Sequence, residues 1–547
     1  MATLAHRKDP LAVALCEREG ECRGSSERSG FNSMWDTIAK YVIPREAVFY
    51  ENNSKGQRRD RYVVDSTAPR SLELFAAFLF SNLNNPAGQW VDFEYEANDF
   101  DETEKRWLAA AARRHQLYLG NNTNLYTNLH ENYLSLGAFG GTALLVERGA
   151  QGGIFTAAYP LKDCVFEQNA YGEIDAVYRT QMWTKRQARQ RFPGRDLGPC
   201  IDKEGKAKAT EEIKFIHCVF PATDEDLAKH IDAEWRGRQK ATGAPYFGVW
   251  VNAADQKVVD VGLYREFPYS IPRWYKGAGE TYGRSPAMTV VGDILMVNRM
   301  AETTLKGAEK LVDPPLMIPE GGLLSPVRLF PGGVTYTDGP VSPQPVIPPG
   351  ASRIELGGAM IAERQTAIRE GFFVPLFVTP QNPVKTATQV LQETDERNRA
   401  TAPMTIRMHK EHFDRFMPRT LRIATEQGLL GEVPESIAKK SGGLRVTYNS
   451  PIVASVAQNE GLSIMRAFEG LAPWHQVDET AFDQIDVARA AKVFLEATGA
   501  PKTVHATKAE IAKKQQERAE RAQQQMVAEN GADYMKGMAA LQSAQAK

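Results

Sequence analysis

The period of the apolar positions changes along the chain and divides it into blocks. Between residues 30 and 46, Trp35, Ile38, Ala39 and Val42 recur at helical spacing, and Pro44 ends the helix they predict. Ser66 or Thr67 is placed to cap a second helix running to about Asn82, with Pro69 suited to its first turn. The same spacing predicts helices over 102–119 and 124–137. From 141 to about 279 the period falls towards two. The runs 143–146, 175–180, 213–220 and 247–251, bounded by Gly, Asn and Pro, predict a small antiparallel sheet or barrel with one helix interposed near 184–192.

Residues 279–385 form the most informative block. Gly279-Glu-Thr-Tyr-Gly-Arg-Ser-Pro286 reads as a turn into a helix with Pro286 at its first position, and only Gly292 and Gly307 weaken the long stretch that follows. Met288, Val291, Leu295, Leu305 and Leu311 keep helical spacing only in part, so this helix is expected to be a strut between neighbours more than a core helix. Asp313-Pro314-Pro315 stops it. Prolines and glycines crowd the segment from Asp313 to Gly350, which excludes a persistent helix and confines any strand to short or edge positions. A second helix over 351–371 carries Ile354, Ile361 and Ile368 on one seam, and the run from Phe372 to Pro383 is expected to be a non-helical loop. On pattern alone, an ordinary helical hairpin with a disordered insert is slightly favoured over anything more specific.

Further on, 384–428 is predicted to be mainly helical, kinked or divided by Pro403 and Pro418. A turn-rich break over 428–443, a strand over 444–448 and helices over 459–470 and 488–498 follow. Thr507-Lys-Ala-Glu510 reads as a capping box that opens a charged, Gln- and Ala-rich tail helix, either solvated or packed against copies of itself. The expected class is α+β, mainly helical.

Composition and charge narrow the function. A chain of 547 residues is too long for one core, so three or four substructures are expected. Its 42% hydrophobic and 24% charged residues are those of a soluble globular protein, the apolar run from Leu74 to Phe80 is too short to span a membrane, and residues 1–20 lack a cleavable signal pattern. Cys16, Cys22, Cys164, Cys200 and Cys218 show no C-x-x-C spacing, so reduced structural cysteines are expected rather than disulfides or a zinc site. A net charge of −1 argues against tight holding of nucleic acid, although a conduit would want weak contact. Lys55, Arg58, Arg59 and Arg61 are diluted by acids and read as a solvated loop. Phosphate loop, nucleophile elbow and H-E-x-x-H motif are all missing, and the glycines at 277, 279 and 283 have turn spacing rather than that of a dinucleotide fingerprint. His409 and His412, with Glu411 between them, would share a helix face but lack an evident third ligand, while Asp483 and Asp486 read as a solvated face or helix start. No metal, cofactor or catalytic residue is expected.

Several landmarks keep a common order: Trp35 with Ile38, Tyr41 and Pro44; Asp65-Ser-Thr67; a Trp90 segment; Gly279 to Pro286; Thr386-Ala-Thr-Gln-Val390; and Tyr448-Asn-Ser-Pro451. In that order and rough spacing the chain resembles, over nearly its whole length, the portal proteins or head-to-tail connectors of short-tailed, podovirus-type bacteriophages. The resemblance implies a non-enzymatic subunit of a ring of about twelve copies at one capsid vertex. Through that ring a terminase motor drives double-stranded DNA, and a tail adaptor attaches later. Major capsid, scaffolding and internal core proteins are further implied partners; a membrane is not, and assembly is expected in the host cytoplasm.

The same resemblance implies a wing over 1–284 and 385–480, a stem over 285–311 and 352–371, a clip over 312–351, a tunnel loop over 372–384 and a helical crown over 481–547. Lys306, Lys310, Arg364, Arg369, Phe377, Thr379, Gln381, Asn382 and Lys385 are then the DNA-channel candidates, with Glu302, Glu309 and Glu363 limiting adhesion. Pro314, Pro315, Arg328 and Pro331 are the candidates for docking terminase and tail. Another ring protein of the head–tail junction and a multidomain nucleic-acid enzyme are the alternative readings.

Overall fold

The computed structural model describes residues 8–46, 49, 56–95, 102–149, 152–202, 210–312, 316–317, 344–345, 354–377, 403, 406–438, 444–449, 461, 463–471, 473, 485–498, 506, 510–521 and 524. The chain forms two compact units, one from residues 1–84 and 123–420, the other from 85–122 and 421–547. Helices and strands are mixed in an α+β arrangement.

In the first unit the period-two block folds as a five-stranded antiparallel meander: Cys164–Gln168, Ile174–Thr184, Glu212–Pro221, Tyr246–Asn252 and Lys257–Tyr264, in that spatial order. Of the two forms expected, it is the open sheet and not the barrel, because the first and last of these strands are not paired to each other. A three-stranded sheet, with Ala143–Arg148 between Ile154–Tyr159 and Tyr269–Ser270, stands beside it in the same unit. Where one interposed helix was expected, at Lys185–Arg191 behind its Thr184 cap, the short helices Pro199–Asp202, Glu225–Ala228 and Ala233–Thr242 also occur. Ala233–Thr242 buries none of its residues, so it carries no apolar period to read.

The helix Pro10–Gly24 has no counterpart among the expected elements. It inserts Leu11, Ala12 and Leu15 into the core of the five-stranded sheet, and Asp9 caps it by accepting from the Leu11 amide at 3.1 Å. Helices Ser26–Tyr41, Thr67–Leu83 and Leu125–Phe139 lie close to the expected positions. The cap of Thr67–Leu83 differs from the reading: Asp65 Oδ1 accepts from the Thr67 amide at 2.9 Å, whereas Ser66 makes no side-chain capping bond.

Two long helices, Val291–Val312 and Ile354–Gly371, form the hairpin the pattern predicted. The first is preceded by a separate turn, Pro286–Thr289. Two expectations require correction. Val374–Phe377 is one helical turn, because Pro375 lies in the first turn where its missing N–H is not needed, and Phe372 and Val374 are buried instead of looped out. Pro418 does not divide its helix: it lies within Asp414–Glu426, where its ring falls one turn after the π turn His409–Phe413.

In the second unit, helix Glu102–Asn121 packs on a two-stranded ladder in which Val91–Tyr95 pairs antiparallel with Leu444–Tyr448, Phe93 opposite Val446. The Asn449 amide donates to the Trp90 carbonyl at 2.9 Å, so two landmarks far apart in sequence are neighbours. Asp486 accepts from the Arg489 amide at 3.0 Å and starts helix Val487–Ala497, the helix-start reading of that acid. Residues 510–521 are helical and exposed. Thr386–Val390, the cap residues Thr507–Ala509 and Asp483 lie outside the described residues.

Candidate functional site

The landmarks of the first unit meet at the base of the hairpin. Ser285 caps the entering turn: its Oγ accepts from the Met288 amide at 3.0 Å and donates to the Ala138 carbonyl at 2.7 Å, while Pro286 fills the first helical position and is buried. Gly283 crosses Gly140 so closely that a Cβ on Gly283 would lie 2.1 Å from the Gly140 carbonyl oxygen, and Gly140 itself has φ +82°. Tyr282 packs against Phe31, Trp35 and Phe166. The buried Arg28 guanidinium lies over both Trp35 and Tyr282, at 4.8 and 5.0 Å from the ring centroids, and donates to the Cys164 and Leu161 carbonyls. Burial pulls its pKa down from the usual arginine value, and the Tyr282 hydroxyl counteracts that only in part. Trp35 Nε1 donates to the Phe139 carbonyl at 2.9 Å.

Both struts are tied to the segment that holds the Asp65 landmark. From the first, Asn298 Oδ1 accepts from the Val64 and Asp65 amides at 2.9 and 3.0 Å, and its Nδ2 donates to the Ile294 carbonyl at 2.8 Å. From the second, Gln365 Nε2 donates to Asp65 Oδ2 at 2.7 Å. Ile294, Val297 and Ile368 are buried, and a Cβ on Gly371 would lie 2.2 Å from Val290 Cγ1, so the struts are close-packed at this end. Farther out the first strut is bare: Leu305 is 57% and Val312 88% exposed. Just beyond the struts, Leu316 and Met317 pair antiparallel with Pro345 and Gln344, a ladder of two residues that matches the short strands expected of a Pro/Gly-rich segment.

The channel candidates are distributed unevenly. Lys306 is exposed and paired with Glu302 at 2.5 Å, which holds that carboxyl low; Lys310 and Arg369 are exposed. Arg364 contacts Asp293 of the other strut at 3.3 Å and Glu363 at 3.5 Å, so it links the two helices rather than standing free. Phe377 ends the turn after the second strut. The Phe377 side chain, Thr379, Gln381, Asn382, Lys385 and all four docking candidates, Pro314, Pro315, Arg328 and Pro331, lie outside the described residues. Asn298 and Gln365, which fix the struts, were missed because single polar residues in an amphipathic pattern give no sign of their partners.

The π turn separates the histidine pair by function. His412 is buried with Nδ1 2.6 Å from Ser270 Oγ, and Glu411 grips Arg273 through its amide, Nε and Nη2 at 2.9, 3.2 and 3.1 Å. No group of acidic, His or Cys side chains among the described residues is arranged to hold a metal ion. No described helix is long and apolar enough to cross a membrane.

The described part of the site is a hairpin of two long helices, tied at one end to the segment at Asp65 and followed beyond the first helix by the two-residue ladder of Leu316–Met317 and Gln344–Pro345. Residues 23–505 match the family model described as bacteriophage head to tail connecting protein, and the chain belongs to that family. It is 24% identical over 531 residues to a probable portal protein of Bordetella phage BPP-1, covering 95% of this chain and 94% of that protein. To a portal protein of Salmonella phage epsilon15 it is 26% identical over 516 residues, covering 91% of this chain and 90% of the other. The chain is thus a non-enzymatic structural component of the head–tail junction of a virion.

Proposed function

We propose that this protein is a portal: a ring of about twelve copies at one capsid vertex, closed by a heterologous interface, through which double-stranded DNA enters the head and later leaves. The observation that carries the reading is the strut hairpin, anchored at its base by Asn298 and Gln365 yet exposing Leu305 and Val312 farther out. A monomer gains nothing from such a face, whereas a ring covers it. In this reading the wing is 1–284 with 385–480, the stem 285–311 with 352–371, the clip 312–351, the tunnel loop 372–384 and the crown 481–547. The clip docks the terminase motor and then the tail adaptor. Arg369, Lys385 and the loop carrying Phe377, Thr379, Gln381 and Asn382 touch passing DNA, weakly enough for the motor to move it. Capsid and scaffolding proteins contact the wing, and assembly takes place in the host cytoplasm.

The test is packaging in a phage whose own gene for this chain is disabled. Heads complemented with the intact chain should hold nuclease-resistant DNA, and heads complemented with a chain lacking 373–383 should form rings but fill poorly. Full heads formed with no copy of the chain would refute the proposal.

A further inference from the structure

Each strut carries one exposed charged stripe, basic on the first and acidic on the second. At about 100° per residue, Arg299, Lys306 and Lys310 of the first strut fall within about 40° of one another, and their span is about 16 Å along the axis. All three are exposed, on the side of the helix away from the buried Ile294 and Val297. Leu295, 38% exposed, lies on the same stripe. On the second strut Glu363, 3.5 Å from Arg364, and Glu370 are seven residues apart and both exposed, separated from the buried Ile368 around the helix. The residues between and beside them, Ala359, Ala362 and Thr366, are small and exposed, so another helix can approach closely.

We infer that the basic stripe of one copy's first strut docks on the acidic, small-residue face of the second strut of a neighbouring copy. This rests on the ring reading above and names the surfaces that close the ring. The occupant is a second copy because the complementary charge is present on the same chain, and because a stripe and a different stripe form the head-to-tail type of contact that a ring needs. DNA is the weaker fit for the basic stripe: Lys306 is already paired with Glu302, and Glu309 flanks the stripe. An exposed, partly neutralised row of this kind sets register and partner choice more than raw affinity.

The experiment uses the full-length chain in three forms: the natural sequence, a triple reversal R299E/K306E/K310E, and a double reversal E363K/E370K. Ring formation is followed by electron microscopy and light scattering against protein and salt concentration. Each reversed form alone should need on the order of tenfold more protein to assemble. An equimolar mixture of the two should form rings again, because alternating copies restore opposite charges at every contact; this also shows that both variants are folded. Added salt should weaken assembly of the natural chain. Reversed forms that each make rings at the natural concentration would overturn the inference while leaving the portal reading intact. So would a triple reversal that assembles normally but yields heads holding less DNA, which would assign the stripe to DNA. Failure of the natural chain to form any ring would refute the portal reading itself, and this inference with it.

Discussion

Gln365 on the second strut donates to Asp65 Oδ2 across 2.7 Å, while Asp65 Oδ1 caps the helix Thr67–Leu83 and the Asp65 amide is held by Asn298 of the first strut. One short segment thereby sets the position of both struts. Asn298→Ala removes the acceptor of two backbone amides at a buried position and should cost about 2–3 kcal/mol. Hydrogen exchange at the Val64 and Asp65 amides should accelerate accordingly, and unchanged protection would show that the tie is not needed.

At the crossing of Gly283 and Gly140, neither backbone can yield easily, since each meets the other's main chain and not a flexible side-chain tip. Gly283→Ala should therefore cost more than about 3 kcal/mol and reduce soluble expression sharply. Gly20→Ala, at a helical position with open space around the Cβ, is the control and should be neutral or slightly stabilising. Equal behaviour of the two variants in soluble yield and thermal melting would contradict the close crossing.

Burial holds the His412 pKa at about 3, and burial together with Arg179 pushes His217 well below its usual value. The folded state therefore binds fewer protons than the unfolded state between the unfolded value near 6.5 and the depressed values. Stability from these two residues is complete above that range and falls as pH drops through it, by about 1.4 kcal/mol per pH unit for each histidine. His412→Gln should remove about one proton's share of the slope of the unfolding midpoint between pH 7 and pH 5. An unaltered slope would place the pH sensitivity elsewhere.

Glu411 is the counter-ion of the largely buried Arg273 and not a metal ligand. Glu411→Ala leaves the arginine buried with its main charged partner gone, and the expected loss is about 3–5 kcal/mol. Zinc and chelator should leave the melting temperature of the natural protein unchanged, and a zinc-dependent rise would restore the metal reading of His409, Glu411 and His412.

Much of this architecture was legible in the sequence because it rests on local signals. The strut ends follow from Asp313-Pro314-Pro315 and Gly371, and the strand 444–448 from simple alternation, whereas Pro286 opens a separate turn before the first strut. The helix Pro10–Gly24 was not legible, since Arg, Glu and Cys interrupt an apolar face that only the sheet core completes. The helical turn at Val374 was missed because the run from Phe372 to Pro383 read as non-helical throughout, although Pro375 falls in a first turn, where proline is tolerated. Asp65 as cap is a local choice among three adjacent candidates, Asp65, Ser66 and Thr67, whereas Asn298 as bridge and Glu411 as counter-ion depend on partners more than 130 residues away, which no periodicity reports.

The most direct test is the mass and shape of the purified full-length protein, by light scattering together with electron microscopy. The account predicts closed rings with a central hole and a mass about twelve times the 60.8 kDa of one chain. A compact particle of 60.8 kDa that stays monomeric at every protein and salt concentration tried would contradict it.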